Sequence, residues 1–422
     1  MCHGIIADDL TGSCDVAARL THSGYQPLVA VAPGVFGRLS RERLTRREGA
    51  MVVVNTRSRD GRLRLATARA RAAATTLERN GLPVVYQKID STLRGHWPEE
   101  LEAIVEVTQP DRVLVCPAFP AQGRFIRHGR LRIRRARGRG ITHAPGIEAA
   151  GDLGEILQSR CGWLSKIVGL EIVRRGTRAI QSELSSCASV RCVVFDAEDD
   201  RDLQTIGRAF ADSTDRLLWV GSAGLIPHVL PKLSRSVTAP APQRHSPWLL
   251  IQGSRQPTSH VQFERLGAEA GVRVLKLSGL PDRERVQVFF ERVLAGLAGG
   301  NDVAVVAPKR FDADIPARLP RFLGKLVRRV SAASALGGIF VTGGNTAEAV
   351  CDSLRVTWLR VAAEIHPGIA LSVALNGRRP GLLLVTKAGG FGGPDEVLRI
   401  LKRCRCGLSK DEAKAMRGNN NW

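Results

Sequence analysis

The chain has 422 residues, 44% hydrophobic and 24% charged, which excludes an intrinsically disordered protein and exceeds what one ordinary core holds, so two domains are expected. Its 62 basic residues outnumber 40 acidic ones for a net charge of +22, a balance that fits nucleic acid, an anionic small substrate or simply an arginine-rich proteome. No run approaches the roughly 20 apolar residues of a membrane span, and MCHGIIADDL lacks the basic start of a secretory signal, so a cytoplasmic protein is expected.

The first apolar run, Ile5-Ile6-Ala7, reads as a buried strand. Asp8 and Asp9 follow at once, then Thr11-Gly12-Ser13 and a periodic segment through Val16, Ala17 and Leu20 that predicts a helix. Strand, polar turn and helix start is where an open α/β sheet puts its chemistry. The glycine and hydroxyls would suit a phosphate at a helix N-terminus, but two carboxylates repel one. Capping of the helix by Thr11, Ser13 or Asp15 accounts for only part of the motif. Two acids beside Thr-Gly better suit the hydroxyls of a polyol, or a general base toward a hydroxyl nucleophile.

Strands are predicted over 28–32, 51–55, 84–89 and 113–116, with helices over 63–80 and 98–107. The third of these strands runs into Lys88-Ile89-Asp90-Ser91-Thr92-Leu93-Arg94-Gly95. Lys88, Arg94 and the hydroxyls there are donors for a carboxylate or phosphate, and Asp90 is an acceptor for hydroxyls. Arg57, just past the strand at 51–55, is a third candidate anion clamp; Arg59, Arg62 and Arg64 crowd it. Eight arginines lie between Arg124 and Arg139. Only Phe125 interleaves them, so a stacking platform for nucleic-acid bases is not supported and a solvated loop is expected. A helix over 152–160 and strands over 192–195 and 217–220 continue the alternation.

Residues 234–246, SRSVTAPAPQRHS, read as a linker between a domain over 1–233 and a second over 247–408, with a polar tail at 409–422. In the second half, strands are predicted over 248–252, 272–277, 302–307, 338–342 and 382–386, and helices over 257–270, 283–297 and 346–354. Each domain is therefore expected to be α/β, a mostly parallel sheet flanked by helices. Gly343, Gly344, Asn345 and Thr346 form a strand-to-helix turn whose backbone N–H groups would suit a phosphate chain. Gly253-Ser254-Arg255 and the turn through Gly389 and Gly390 are two more glycine-bearing strand ends, and three together predict a ligand crevice. Neither a Walker loop nor a Rossmann fingerprint is present. The nine histidines show no metal-ligand pairing, no G-x-S-x-G elbow occurs, and the nine cysteines are unclustered, so reduced thiols and no protein-held metal are expected.

In order along the chain, IIADDLTGSCDVA, KIDSTLRGH, CPAFPAQGR, the Gly253-Ser254 turn, VTGGNTAEAV and TKAGGFGGPDEV resemble the four-carbon acid sugar kinase family, the ATP-dependent tetronate kinases. The resemblance implies an N-terminal domain for the acid sugar, a C-terminal domain for ATP with Mg²⁺, an active site in the cleft between them, and phosphorylation of the terminal hydroxyl of threonate, erythronate or 3-oxo-tetronate. It puts Asp8 or Asp9, Arg57, Lys88, Ile89, Asp90 and Ser91 on substrate-contacting positions. Ser254, Gly343, Gly344, Asn345, Thr346, Gly389 and Gly390 fall on ATP-contacting ones. On this reading Arg57, Lys88 and Arg94 clamp the carboxylate, Asp9 and Asp90 orient hydroxyls, and Asp9, Asp8 or Asp90 is the base. The expected partners are the acid sugar and ATP, with neither membrane nor nucleic acid, and a homodimer is the assembly kept open. Two departures stand out: Asn345 replaces an acid usual in the family, and the arginine-rich run replaces a loop with an Asp-Pro pair. They support the alternative of a catalytically silent relative that binds a nucleotide or an anionic ligand.

Overall fold

The computed structural model describes residues 2–35, 50–134, 141–142, 151–187, 190–233, 247–269, 271–280, 283–309 and 315–406. The predicted linker and tail lie outside the described residues, as do Arg135, Arg137 and Arg139. The chain divides into two compact units, Met1–Ser236 and Val237–Trp422.

Strands of the first unit are β1 (His3–Ala7), β2 (Gln26–Ala30), β3 (Ala50–Asn55), β4 (Val84–Lys88), β5 (Arg112–Cys116), β6 (Arg124–Arg127), β7 (Arg130–Arg134), β8 (Ile141–Thr142), β9 (Ser165–Val168), β10 (Cys192–Phe195) and β11 (Leu217–Gly221). A parallel sheet runs in the order β2-β3-β1-β4-β11-β5-β10-β9. Helices cover it, so strands such as β3, AMVVVN, are buried at every position rather than alternating. The helix Leu63–Arg79 turns Ala66, Ala70, Ala73, Ala74 and Leu77 inward at helical spacing. Between β3 and β4 lies β1, with Ala7 in register with both Asn55 and Lys88. The turns that follow these three strands therefore meet at one edge, where the strand order reverses.

The arginine-rich segment departs from the expected solvated loop. Its described part forms the antiparallel sheet β6-β7-β8. Phe125, Ile126 and Leu131 are buried, and the Arg134 guanidinium lies 5.0 Å from the Phe125 ring centroid. The tight turn at His128-Gly129 has φ of 51° and 68°, and Asp196 holds it by accepting from both backbone N–H groups, at 2.7 and 2.8 Å. Arginines at the outer positions hid a short apolar pattern beneath them.

Strands of the second unit are β12 (Trp248–Gln252), β13 (Val272–Lys276), β14 (Asp302–Val306), β15 (Gly338–Thr342), β16 (Trp358–His366), β17 (Ile369–Ala374) and β18 (Leu383–Lys387). Their order is β13-β14-β12-β15-β18-β17-β16, parallel as far as β18 and antiparallel beyond it. Trp248, Phe263, Phe340, Leu371 and Ile400 belong to its core. Among the described residues no helix is long and apolar enough to cross a membrane.

Candidate functional site

Asp9 ends the run of β1 in an extended conformation and caps the helix Leu10–His22. Its Oδ1 accepts from the Gly12 N–H at 2.8 Å and its Oδ2 from the Thr11 hydroxyl at 2.5 Å. The cap is thus Asp9 itself, rather than Thr11, Ser13 or Asp15. The Asp8 carbonyl accepts from the backbone N–H groups of Ser58 and Arg59, at 2.9 and 3.2 Å, which pins the turn after β3 across the end of β1.

That turn delivers Arg59 into the carboxylates. Its Nε reaches Asp8 Oδ2 at 2.7 Å and its Nη2 reaches Asp8 Oδ1 at 2.6 Å. Nη2 is also 2.7 Å from Asp9 Oδ1, and Nη1 is 3.6 Å from Asp90 Oδ1. Burial alone would ease the proton off Arg59, but the charges of Asp8, Asp9 and Asp90 hold it far more tightly than usual. For Asp8 burial wins: its carboxyl is raised despite Arg59, and the Asp9 charge adds to the rise. Asp90 goes the other way. Burial would raise it, yet the Arg59 charge and the paired hydrogen bonds from Arg94, at 2.9 Å each, keep it far below the usual carboxylate range.

Lys88 is buried beside this cluster. Its Nζ donates to the Ile89 carbonyl at 2.8 Å, and a Cβ on Gly12 would sit 3.1 Å from that Nζ and 2.6 Å from Asp9 Oδ1. Ile89 and Ser91 are buried, while Arg94 is exposed over Asp90. Arg124, at the start of β6, lies within the electrostatic reach of Asp90 and Arg94, although burial lowers its pKa. Arg57, in the left-handed region at φ 51°, donates from Nε to the Val31 carbonyl at 3.1 Å. Sequence reasoning passed over Arg59, because four arginines crowd 57–64 and nothing local ranks them. The usable signal was physical, since two adjacent buried acids require a cation.

In the second unit Gln252 pairs with Thr342, and Thr342 with Lys387, so the ends of β12, β15 and β18 are neighbours. Each continues into a glycine turn, and the turns close on one another. A Cβ on Gly253 would meet Thr346 Oγ1 at 2.0 Å, and one on Gly389 would meet Ser254 Oγ at 1.9 Å. Gly343, at φ 105°, caps the helix Gly344–Leu354 with its backbone packed on Ser254. The first N–H groups of that helix have no carbonyl of their own turn to reach. Gly344 is half-buried, Asn345 and Gly390 are exposed, and Thr346 is buried. Lys387 is fully buried; its Nζ donates to the carbonyls of Ala388 and Gly389, at 2.9 and 3.3 Å. Burial pulls its pKa down to about 7 against the opposing charge of Glu396.

Two family models divide the chain along the same lines. A sugar-binding N-terminal domain matches residues 3–229, and a nucleotide-binding C-terminal domain matches residues 249–397. The chain belongs to the tetronate kinase family. It is 30% identical to a D-threonate kinase of Bordetella bronchiseptica, covering 95% of this chain and 97% of that one. It is 29% identical to a 3-oxo-tetronate kinase of Cupriavidus necator, covering 94% and 96%. Among solved structures, one from Salmonella typhimurium LT2 superposes with a TM-score of 0.76 at 20% identity, over 94% of this chain and 98% of that one, and supports the fold.

For a tetronate kinase, the donor set fits a nucleotide better than a metal held by the protein alone. The glycine turns offer backbone N–H groups and the hydroxyls of Ser254 and Thr346, with room only where Cβ atoms are missing. Asp8, Asp9 and Asp90 are engaged by Arg59 and Arg94, and among the described residues no cluster of three His, Cys, Asp or Glu side chains could hold a metal ion. A Mg²⁺ ion would then be held chiefly by the phosphates it accompanies, where it neutralises charge on the transferring group.

Proposed function

We propose that this protein uses ATP, with Mg²⁺, to phosphorylate the terminal hydroxyl of a four-carbon acid sugar. The observation that carries the reading is a segregation of chemistry. Glycine turns bare of side chains, suited to phosphates, lie in one unit, and a carboxylate–cation cluster, suited to hydroxyls and a carboxylate, lies in the other.

In this account Lys88 and Arg94 meet the carboxylate of the acid sugar, and Asp9 and Asp90 accept its hydroxyls. Asp9 is the preferred base: its side chain is 12% exposed against 2% for Asp8, which Arg59 seals on both oxygens. The hydroxyl proton passes to Asp9 as the oxygen–phosphorus bond forms and the bond to the leaving ADP breaks. Ser254, Gly343–Thr346 and Gly389–Gly390 hold the nucleotide. Phosphoryl transfer asks for positioning and charge neutralisation more than for covalent help, and this inventory supplies both. Arg59 keeps the acids together as their shared counter-charge, a role distinct from the clamp on the substrate carboxylate expected of Arg57.

ADP release from ATP in the presence of D-threonate, D-erythronate or 3-oxo-tetronate tests the reading. Turnover with at least one of the three is expected. Nucleotide binding with no turnover on any of them would favour the silent relative, for which Asn345 in the glycine turn is the supporting feature.

A further inference from the structure

Glu100 is a buried acid for which the proposed chemistry has no use. It lies in the first turn of the helix Trp97–Thr108, where it is 3% exposed. Its Oε1 is buried with no hydrogen-bond partner. The Ser58 hydroxyl bonds to the carboxyl group and shares a second hydrogen bond, 2.7 Å, with the Thr56 hydroxyl. Ser58 and Arg59 are the two residues whose N–H groups grip the Asp8 carbonyl, so Glu100 backs the turn that carries Arg59.

The charges facing Glu100 come from every side of its pocket. Asp8 approaches from the end of β1, and Arg59 from the turn after β3, with its N–H groups engaged by Asp8 and Asp9. Glu99 lies beside it on its own helix, paired with Arg160 of the helix Leu153–Cys161 at 2.6 and 2.7 Å. At the start of the helix His96 bonds the Gly61 carbonyl through Nε2 at 2.8 Å. The cluster in front already sets three acids, Asp8, Asp9 and Asp90, against Arg59, Lys88 and Arg94, with Arg124 within reach of Asp90. An ionised Glu100 would be a fourth acid, with one oxygen unpaired in a dry setting.

We propose that Glu100 is a positioning residue that works as a neutral carboxylic acid, backing the Ser58–Arg59 turn and leaving the acid cluster balanced by its cations. Ionisation would add negative charge behind Asp8 and weaken the hold on an anionic substrate. The electrostatics agree: burial, then the Asp8 charge, raise the Glu100 carboxyl from 4.5 to about 7, against the Ser58 hydrogen bond and Arg59. A neutral orphaned oxygen also costs far less to bury than a charged one.

The inference about catalysis rests on the proposed function, whereas the protonation state does not, and the two are read separately. Urea unfolding of the wild type and of Glu100→Gln is followed against pH. The sign follows from a folded-state pKa raised above the unfolded value: the advantage of the wild type over the glutamine variant is full below 4.5 and lost as pH rises to about 7. The expected fall in the relative folding constant is about tenfold or more. In parallel, kcat/KM for D-threonate, D-erythronate and 3-oxo-tetronate falls in the wild type by about threefold or more above neutral pH, and Glu100→Gln lacks that limb. Ser58→Ala, which removes the hydrogen bond favouring ionisation, moves the limb to higher pH and carries the test should Glu100→Gln fail to fold. A pH-independent stability difference, or an alkaline limb that survives in Glu100→Gln, overturns the proposal. Absence of turnover on all three acids instead sinks the functional reading, and the unfolding data still decide the proton.

Discussion

The Arg59 guanidinium holds both oxygens of Asp8, with Nε on Oδ2 at 2.7 Å and Nη2 on Oδ1 at 2.6 Å, and from the same position reaches Asp9 at 2.7 Å. One cation thus joins the end of β1 to the turn after β3. Arg59→Met should leave two adjacent buried carboxylates without the cation that bonds them both, at a cost of about 3–5 kcal/mol in unfolding free energy. Arg59→Lys restores the charge without the two-pronged geometry and should fall between the two. Urea midpoints rank the three proteins.

Asp9 combines a helix cap with the role of candidate base, and the two can be separated. Asparagine caps a helix about as well as aspartate, so Asp9→Asn should fold normally and keep its affinity for ADP. Loss of the base should lower kcat by about 100-fold or more. Calorimetric ADP titration beside steady-state turnover reads both; turnover near the wild-type rate would remove Asp9 from the chemistry.

The close approach of Gly389 to Ser254 gives a test by paired substitution. Gly389→Ala drives a methyl to 1.9 Å from Ser254 Oγ and must displace one of the turns. Nucleotide affinity should drop by about tenfold or more, the loss typical when a binding group is misplaced. Adding Ser254→Gly removes the obstructing oxygen together with a nucleotide-binding hydroxyl, so the double variant is compared with Ser254→Gly alone. The two should bind nucleotide equally if the clash is the cause, whereas the double variant should be weaker by the full Gly389→Ala loss if Gly389 matters only for its own backbone freedom.

Lys387 predicts an alkaline gain in stability. Burial lowers its pKa from 10.5 to about 7, so between those values the unfolded chain binds more protons than the folded one. Stability contributed through this group therefore rises with pH across that window and is flat outside it. The stability of the wild type relative to Lys387→Met, measured by urea unfolding from neutral to alkaline pH, should rise with pH. A constant difference would mean that the ammonium is not desolvated.

Much of the fold is legible locally, because buried parallel strands such as Met51–Asn55 and Leu249–Ile251 are continuous apolar runs closed by polar or glycine turns. The strand ends bearing Asp8-Asp9, Lys88–Arg94, Gly343–Thr346 and Gly389–Gly390 could be found for the same reason. Other features depended on tertiary context. Arg59 and Arg57 are two residues apart in an arginine-rich stretch, and only the folded turn, in which Arg59 reaches Asp8 and Arg57 reaches the Val31 carbonyl, tells them apart. Glu100 looks like an ordinary first-turn acid until the Ser58 turn closes over it. The hairpin β6–β7 alternates too briefly, under too many arginines, for periodicity to reveal it.

Phosphorus NMR of a reaction holding the protein, ATP, Mg²⁺ and one four-carbon acid at a time tests the central claim most directly. The account predicts ADP together with a phosphomonoester whose phosphorus couples to the terminal carbon protons of D-threonate, D-erythronate or 3-oxo-tetronate. ATP that stays intact with all three acids, in a protein that still binds ADP, would contradict it.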